Sequence, residues 1–169
     1  MKRLLILTVT VLIASCGAVR AQNCIVVDSE KIFKSIGAYN QAVTTLDALA
    51  ESYQKQVDAQ FALVEQNYNR YMAEKESLTP SAQRAREEAI LKQEREATEL
   101  QESIFGQEGE LIKKRKELIQ PIQKQVFDAI DRYAKANGID IVIDKASNPT
   151  LLYSAGRVDR TQEVIKLLQ

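Results

Sequence analysis

Enzyme chemistry needs nucleophiles, bases or metal ligands at workable spacing, and this chain of 169 residues offers few. It has no His, which removes the commonest general base and the commonest zinc ligand. Its two cysteines, Cys16 and Cys24, are too few to cage a metal. The acidic pairs Glu74/Glu76 and Glu87-Glu88 have Lys75, Arg84 and Arg86 beside them. On a helix such clusters form a solvated charged face. The basic run Lys113-Lys114-Arg115-Lys116 suits an anionic headgroup or an acidic partner, but neighbouring helix residues point in different directions. It reads as helix surface. No Gly-rich phosphate loop, nucleophile elbow or HExxH occurs. Neither an enzyme nor a bound cofactor or metal is expected. What remains is apolar: Phe61, Tyr68, Tyr71 and Met72, followed by Leu78, fall within one stretch. They either pack in a helix seam or stay exposed for loose contact with many partners. Three rings and a Met exceed the width of a two-helix seam, so some exposed surface is expected.

The elements that hold these residues begin after an export signal. Lys2 and Arg3 precede an apolar run, Leu4 to Ala14, that is too short to span a bilayer. Val19-Arg20-Ala21 fits cleavage after Ala21, which is the favoured reading. Ile13-Ala14-Ser15-Cys16 also resembles a lipobox, which would leave a lipidated Cys16. Cleavage after Ala21 removes Lys2, Arg3 and Arg20, leaving 148 residues with 20 basic against 23 acidic groups, a net charge of −3. No strong field marks a nucleic-acid binder, and none is expected as a partner. Cys24 then stands alone and reads as a small buried residue in a strand.

Cys24 to Asp28 is a β-branched run and reads as a strand. Asp28 or Ser29 caps a short helix, Glu30 to Ile36, which Gly37 ends. From Ala38 to Leu78 no Gly or Pro occurs. Val43, Leu46, Ala50, Tyr53, Val57, Gln60, Val64, Asn67 and Tyr71 step there by alternating threes and fours. Thr79 and Pro80 suit the cap and first position of a new helix, which is expected to run from Ser81 to about Asn137. Its stripe is Ile90, Ala97, Leu100, Ile104, Leu111 and Leu118; Pro121 should kink it, and Gly106 and Gly109 weaken it at one level. Residues 38–78 and 81–121 are each 41 long about a tip at 78–81, so they should lie antiparallel and adjacent. At ~1.5 Å per residue each arm is about 60 Å long.

Gly138 ends the long helix. Strands are expected at 139–144 and 150–154, joined as a hairpin, and Asp159 with Gln162 should open a last amphipathic helix. The fold class is thus α+β, mostly α, with a long coiled-coil-like antiparallel hairpin at 38–121 and a small β-rich body from 22–37 and 122–169. About 66 body residues rarely supply more than about 3–5 kcal/mol without staples. A three-stranded sheet also has two open edges. The body is therefore expected to oligomerise through Ile25, Val26, Val27, Ile139, Ile141, Ile143, Leu151 and Leu152.

Across its mature length the chain resembles the Skp/OmpH family of periplasmic chaperones. The resemblance rests on VDSEKIF (Val27 to Phe33), the long hairpin, and PIQ at Pro121 to Gln123. It is completed by NGIDIVIDK (Asn137 to Lys145) and VDRTQEVIKLL (Val158 to Leu168). It implies a periplasmic homotrimer whose helical arms enclose a cavity and hold unfolded outer-membrane β-barrel proteins without ATP. Family members are often strongly basic and this mature chain is slightly acidic, so no lipopolysaccharide site is carried over. Only transient membrane contact is expected unless Cys16 is lipidated. The competing reading is a structural envelope spacer tethered through a lipidated Cys16.

Overall fold

The computed structural model describes residues 23–169. The signal segment 1–21, with Cys16 and its two processing alternatives, lies outside the described residues. Strand β1 (Cys24–Val27) leads into helix α1 (Ser29–Lys34), then α2 (Gly37–Glu74) and a short 3₁₀ turn, Lys75–Ser77. Helices α3 (Pro80–Phe105) and α4 (Glu110–Asn137) return the chain to strand β2 (Ile141–Asp144). A 3₁₀ turn, Gly156–Val158, precedes the last helix, α5 (Thr161–Lys166). The contacts divide into two compact units, residues 33–127 and a strand unit of residues up to 32 together with 128–169.

In the strand unit, β1 pairs with β2 in parallel, with Val26 opposite Ile143 and Val27 opposite Asp144. A parallel pair needs a long crossover, and here helices α2 to α4 supply it. On its other side, β1 meets a single parallel bridge from Asp159 to Val26, and Arg160 N donates to Val26 O at 2.9 Å. With neighbours on both edges, β1 is the centre of the sheet. Its Ile25, Val26 and Val27 are all buried, so both faces are covered. A continuous β-branched run is what such a strand requires.

The expected hairpin of 139–144 with 150–154 does not form. Among the described residues the sheet has two strands, and residues 151–155 carry no regular structure. The link before them is tied into local turns. Asp144 accepts from Ala146 N and Ser147 Oγ, while Asn148 Oδ1 accepts from Thr150 N and Oγ1. Asp159 fills the third place beside β1 instead. Cys24 also departs from expectation, since it is exposed at the start of β1.

The caps follow the sequence more closely. Asp28 Oδ1 accepts from Lys31 N at 3.0 Å and opens α1. That helix stops at Lys34, and Gly37 begins α2 rather than ending α1; Asn40 Nδ2 bonds the Lys34 carbonyl between them. Gly138 ends α4 at φ 60°, and Ile139 N donates to Ala134 O, as a left-handed glycine cap allows. Asp159 does not form a box with Gln162: its Oδ1 accepts from Thr161 N and Oγ1.

Two carboxylates at the ends of the strands lock this unit. Asp144 accepts from Ser29 N at 3.0 Å and Ser29 Oγ at 2.6 Å, besides Ala146 and Ser147. Burial pushes its carboxyl up, but these four donors outweigh it and bring it down to about 2. Asp159, also pushed up by burial, is brought to about 2 by Lys145 at 2.6 Å and by Thr161. Folded-state values below the unfolded value mean stability that is fully present above about pH 4. It is lost as pH falls through about 2. Asp144→Asn should therefore cost about 2–3 kcal/mol at neutral pH. It should also shrink the acid-induced loss of β1–β2 pairing, followed by circular dichroism and denaturant melts. An unchanged acid profile would refute this role.

Candidate functional site

The second unit is a helical hairpin, and its seam decides which side chains remain outside. Thr79 Oγ1 accepts from Ala82 N at 3.3 Å and Pro80 takes the first helical position, as the sequence requires. Gln83 Nε2 closes the tip by donating to Lys75 O at 2.8 Å and Leu78 O at 3.3 Å. Beyond the tip, Asn67 Nδ2 donates to Gln93 Oε1 at 2.8 Å, and Arg86 pairs with Glu74 at 3.5 Å. These contacts fix the antiparallel register of α2 on α3. Val57, Tyr71, Ala97 and Ile104 are buried along it, and Val43, Leu46, Ala50, Tyr53 and Val64 are half-buried.

The returning helix is broken rather than weakened. It stops at Phe105 and resumes at Glu110, with Gly106 N bonded to Glu102 O and Gly109 N to Gly106 O. A Cβ on Gly109 would lie 2.4 Å from the Ile104 carbonyl oxygen, so the turn requires glycine there. Pro121 sits inside α4, which continues through it. The break in the returning helix falls at the glycines.

The aromatic group divides. Tyr71 turns into the seam, where its hydroxyl donates to the Glu87 carboxylate. Phe61, Tyr68 and Met72 remain 37%, 50% and 49% exposed. Tyr68 and Met72 are four residues apart, so they share a face of α2, and Phe61 lies two turns earlier on that stripe. Across the seam Leu91 is 52% exposed. Tyr68, Met72, Ile90 and Leu91 line one open groove of about 430 Å³, with Lys75, Glu87 and Glu94 around it. Lys75 Nζ lies 5.5 Å from the centroid of the Tyr71 ring. Leu78 is half-buried at the tip and does not line the groove.

Leu91 was not singled out from the sequence. Its signal is the doublet Ile90-Leu91: the seam takes one apolar residue at that level, and the antiparallel register puts the other beside Tyr68 and Met72. Leu63, 49% exposed, was missed as well. The basic run carries no concerted patch. Lys114 pairs with Glu117 at 2.8 Å, while Lys113, Arg115 and Lys116 are exposed. A smaller groove of about 340 Å³ lies nearer the start of α2, lined by Tyr39, Val43, Leu46 and Leu111 among others.

The residues expected to join protomers are not equally available. Ile25, Val26 and Val27 already belong to the chain's own core. Ile139, Ile143 and Leu151 are half-buried. Ile141 is 44% exposed and Leu152 is 94% exposed, with Tyr153 beside it at 83%.

The bond to Glu87, with burial second, raises the Tyr71 phenol to about 12. Its folded value lies above the unfolded value near 10, so the stabilisation is complete below about pH 10. It is lost as pH rises through about 12. Phenolate absorbance should resolve one late-titrating ring among the six tyrosines, and Tyr71→Phe should remove it. Simultaneous titration of all six would contradict the buried bond.

Comparison with individual curated proteins gives no match. Comparison with protein families matches the outer membrane protein (OmpH-like) family over residues 23–168, which takes in both units from β1 to the last helix. The chain belongs to the OmpH-like family.

Proposed function

We propose that this protein is an ATP-independent holdase that shields unfolded outer-membrane β-barrel proteins from aggregation. The observation that carries this reading is the open groove of Tyr68, Met72 and Leu91, each about half exposed on the helical hairpin. The family is one of periplasmic chaperones rather than enzymes, which supports the same reading. Unfolded barrel strands alternate apolar and polar residues, so their exposed apolar side chains need cover without a fixed geometry. A thioether and a phenol ring on a rigid helix meet that need, because they adapt to many shapes at low cost. Shallow contacts keep each interaction weak, and release then needs no fuel.

A single groove covers little of an unfolded chain. In this proposal three protomers assemble through their strand units, and their hairpins enclose the client. Supporting this are the exposed apolar side chains of Ile141, Leu152 and Tyr153. Sedimentation at micromolar concentration should give a trimer, and a monomer there would refute the assembly.

The holdase is tested by diluting a urea-unfolded outer-membrane barrel protein into buffer and recording light scattering. Near-equimolar trimer should suppress scattering, whereas no suppression at several-fold excess would reject the function. The triple variant Tyr68→Ser, Met72→Ser, Leu91→Ser should keep its helical circular dichroism. It should need roughly tenfold more protein for the same effect.

A further inference from the structure

The charge around the outer groove is not what a collector of acidic chains would carry. Residues 56–105 hold ten acidic against six basic side chains, a net charge of −4. The rest of the hairpin unit, 33–55 with 106–127, holds five acidic against seven basic, a net charge of +2. The unit is therefore polarised, and the outer groove lies in its negative half. Of the charged side chains that line the groove, Glu87 and Glu94 are acidic and Lys75 is basic. Lys75 is drawn over the Tyr71 ring at 5.5 Å. Glu94 enters no ion pair among the described residues. Glu87 accepts from Tyr71, and a carboxylate that takes one donor has acceptor capacity left.

We propose that the groove of Tyr68, Met72 and Leu91 selects apolar chain segments that carry Lys or Arg, and disfavours segments flanked by Asp or Glu. This rests on the holdase reading and names the chemistry of what is held. The fit is geometric as well as electrostatic. A Lys or Arg side chain lays its methylene stem along an apolar surface while its head stays in water. Here the exposed faces of Met72 and Leu91 offer that surface, and the carboxylates of Glu87 and Glu94 stand at its rim. The half-exposed Tyr68 ring adds a face on which a cation can sit. An Asp or Glu in the same place would have its carboxylate beside two others. The net charge of the outer hairpin acts in the same direction at longer range, and salt screens that part first.

The test uses the full-length protein and three extended ten-residue peptides with one apolar core. They differ only in carrying two Lys, two Ser or two Glu at the positions that reach the rim. Binding is read by fluorescence anisotropy at low ionic strength and again at 0.5 M salt, with a neutral dye. The Lys peptide should bind about fivefold or more tighter than the Glu peptide at low salt, with the Ser peptide between them. The gap should narrow in salt. Glu94→Lys, on an exposed helix face, should reverse the order, and Glu94→Gln should reduce the preference without reversing it. Equal binding of all three peptides, or an order untouched by Glu94→Lys, overturns the selectivity and leaves the holdase standing. Binding by none of the three, together with no suppression of scattering, overturns both.

Discussion

A four-residue parallel ladder joins the start of the described chain to a point 117 residues later, and the remaining elements are arranged as its crossover or its cover. Parallel strands cannot be linked by a tight turn. The chain solves this by placing three long helices between Val27 and Ile141. Ile25, Val26 and Val27 are apolar on both faces, so the strand's own pattern specifies register only weakly. Asp144 adds a polar constraint on it. It stands at the last rung and gathers Ser29 from the start of α1, so the two strands can end level in only one way. Asp159 does the same from the other edge through its bridge to Val26 and its pairing with Lys145.

Elements set by local chemistry were legible from the residues. The seam stripe from Val43 to Tyr71, the cap at Thr79, Pro80 at the first position and Gly138 past the end of α4 all follow from spacing or backbone preference. The misreadings share a cause. The run Ile25-Val26-Val27 is continuous rather than alternating, which signals a strand covered on both faces in a parallel sheet, whereas the one pairing expected was a hairpin of 139–144 with 150–154. TLLYS has the composition of a strand, but composition cannot supply a neighbour, and Asp159 occupies the place beside β1. A single glycine is tolerated in a helix at modest cost. Two glycines three residues apart, at 106 and 109, let the chain turn against the Ile104 carbonyl, which no larger residue permits.

The candidate site was half legible for a similar reason. Crowding implied that one helix seam could not absorb every ring between Phe61 and Met72. Which ring enters depends on what faces it from the other helix. Tyr71 is admitted because Glu87 stands opposite to accept its hydroxyl, and that bond satisfies the one polar atom the ring would otherwise bury. Tyr68 and Met72 have Leu91 across from them, and an apolar neighbour neither holds them nor covers them fully. Polar pairing in the seam and apolar exposure beside it are therefore two results of one register.

The long separation between β1 and β2 also sets a timetable. The hairpin helices bond within themselves and with near neighbours, so they can form before the two strands meet. The first strand cannot, because the strand it pairs with lies 117 residues downstream and its bridge partner Asp159 lies further still. Ile25, Val26 and Val27 therefore stay unpaired until Ile141 to Asp144 are brought back to them, and a contact of such long sequence separation forms late. A bare β-branched segment is prone to pair with whatever strand it meets. The segment is short and is followed at once by Asp28, Glu30 and Lys31, charges that discourage such pairing until the last part of the chain arrives.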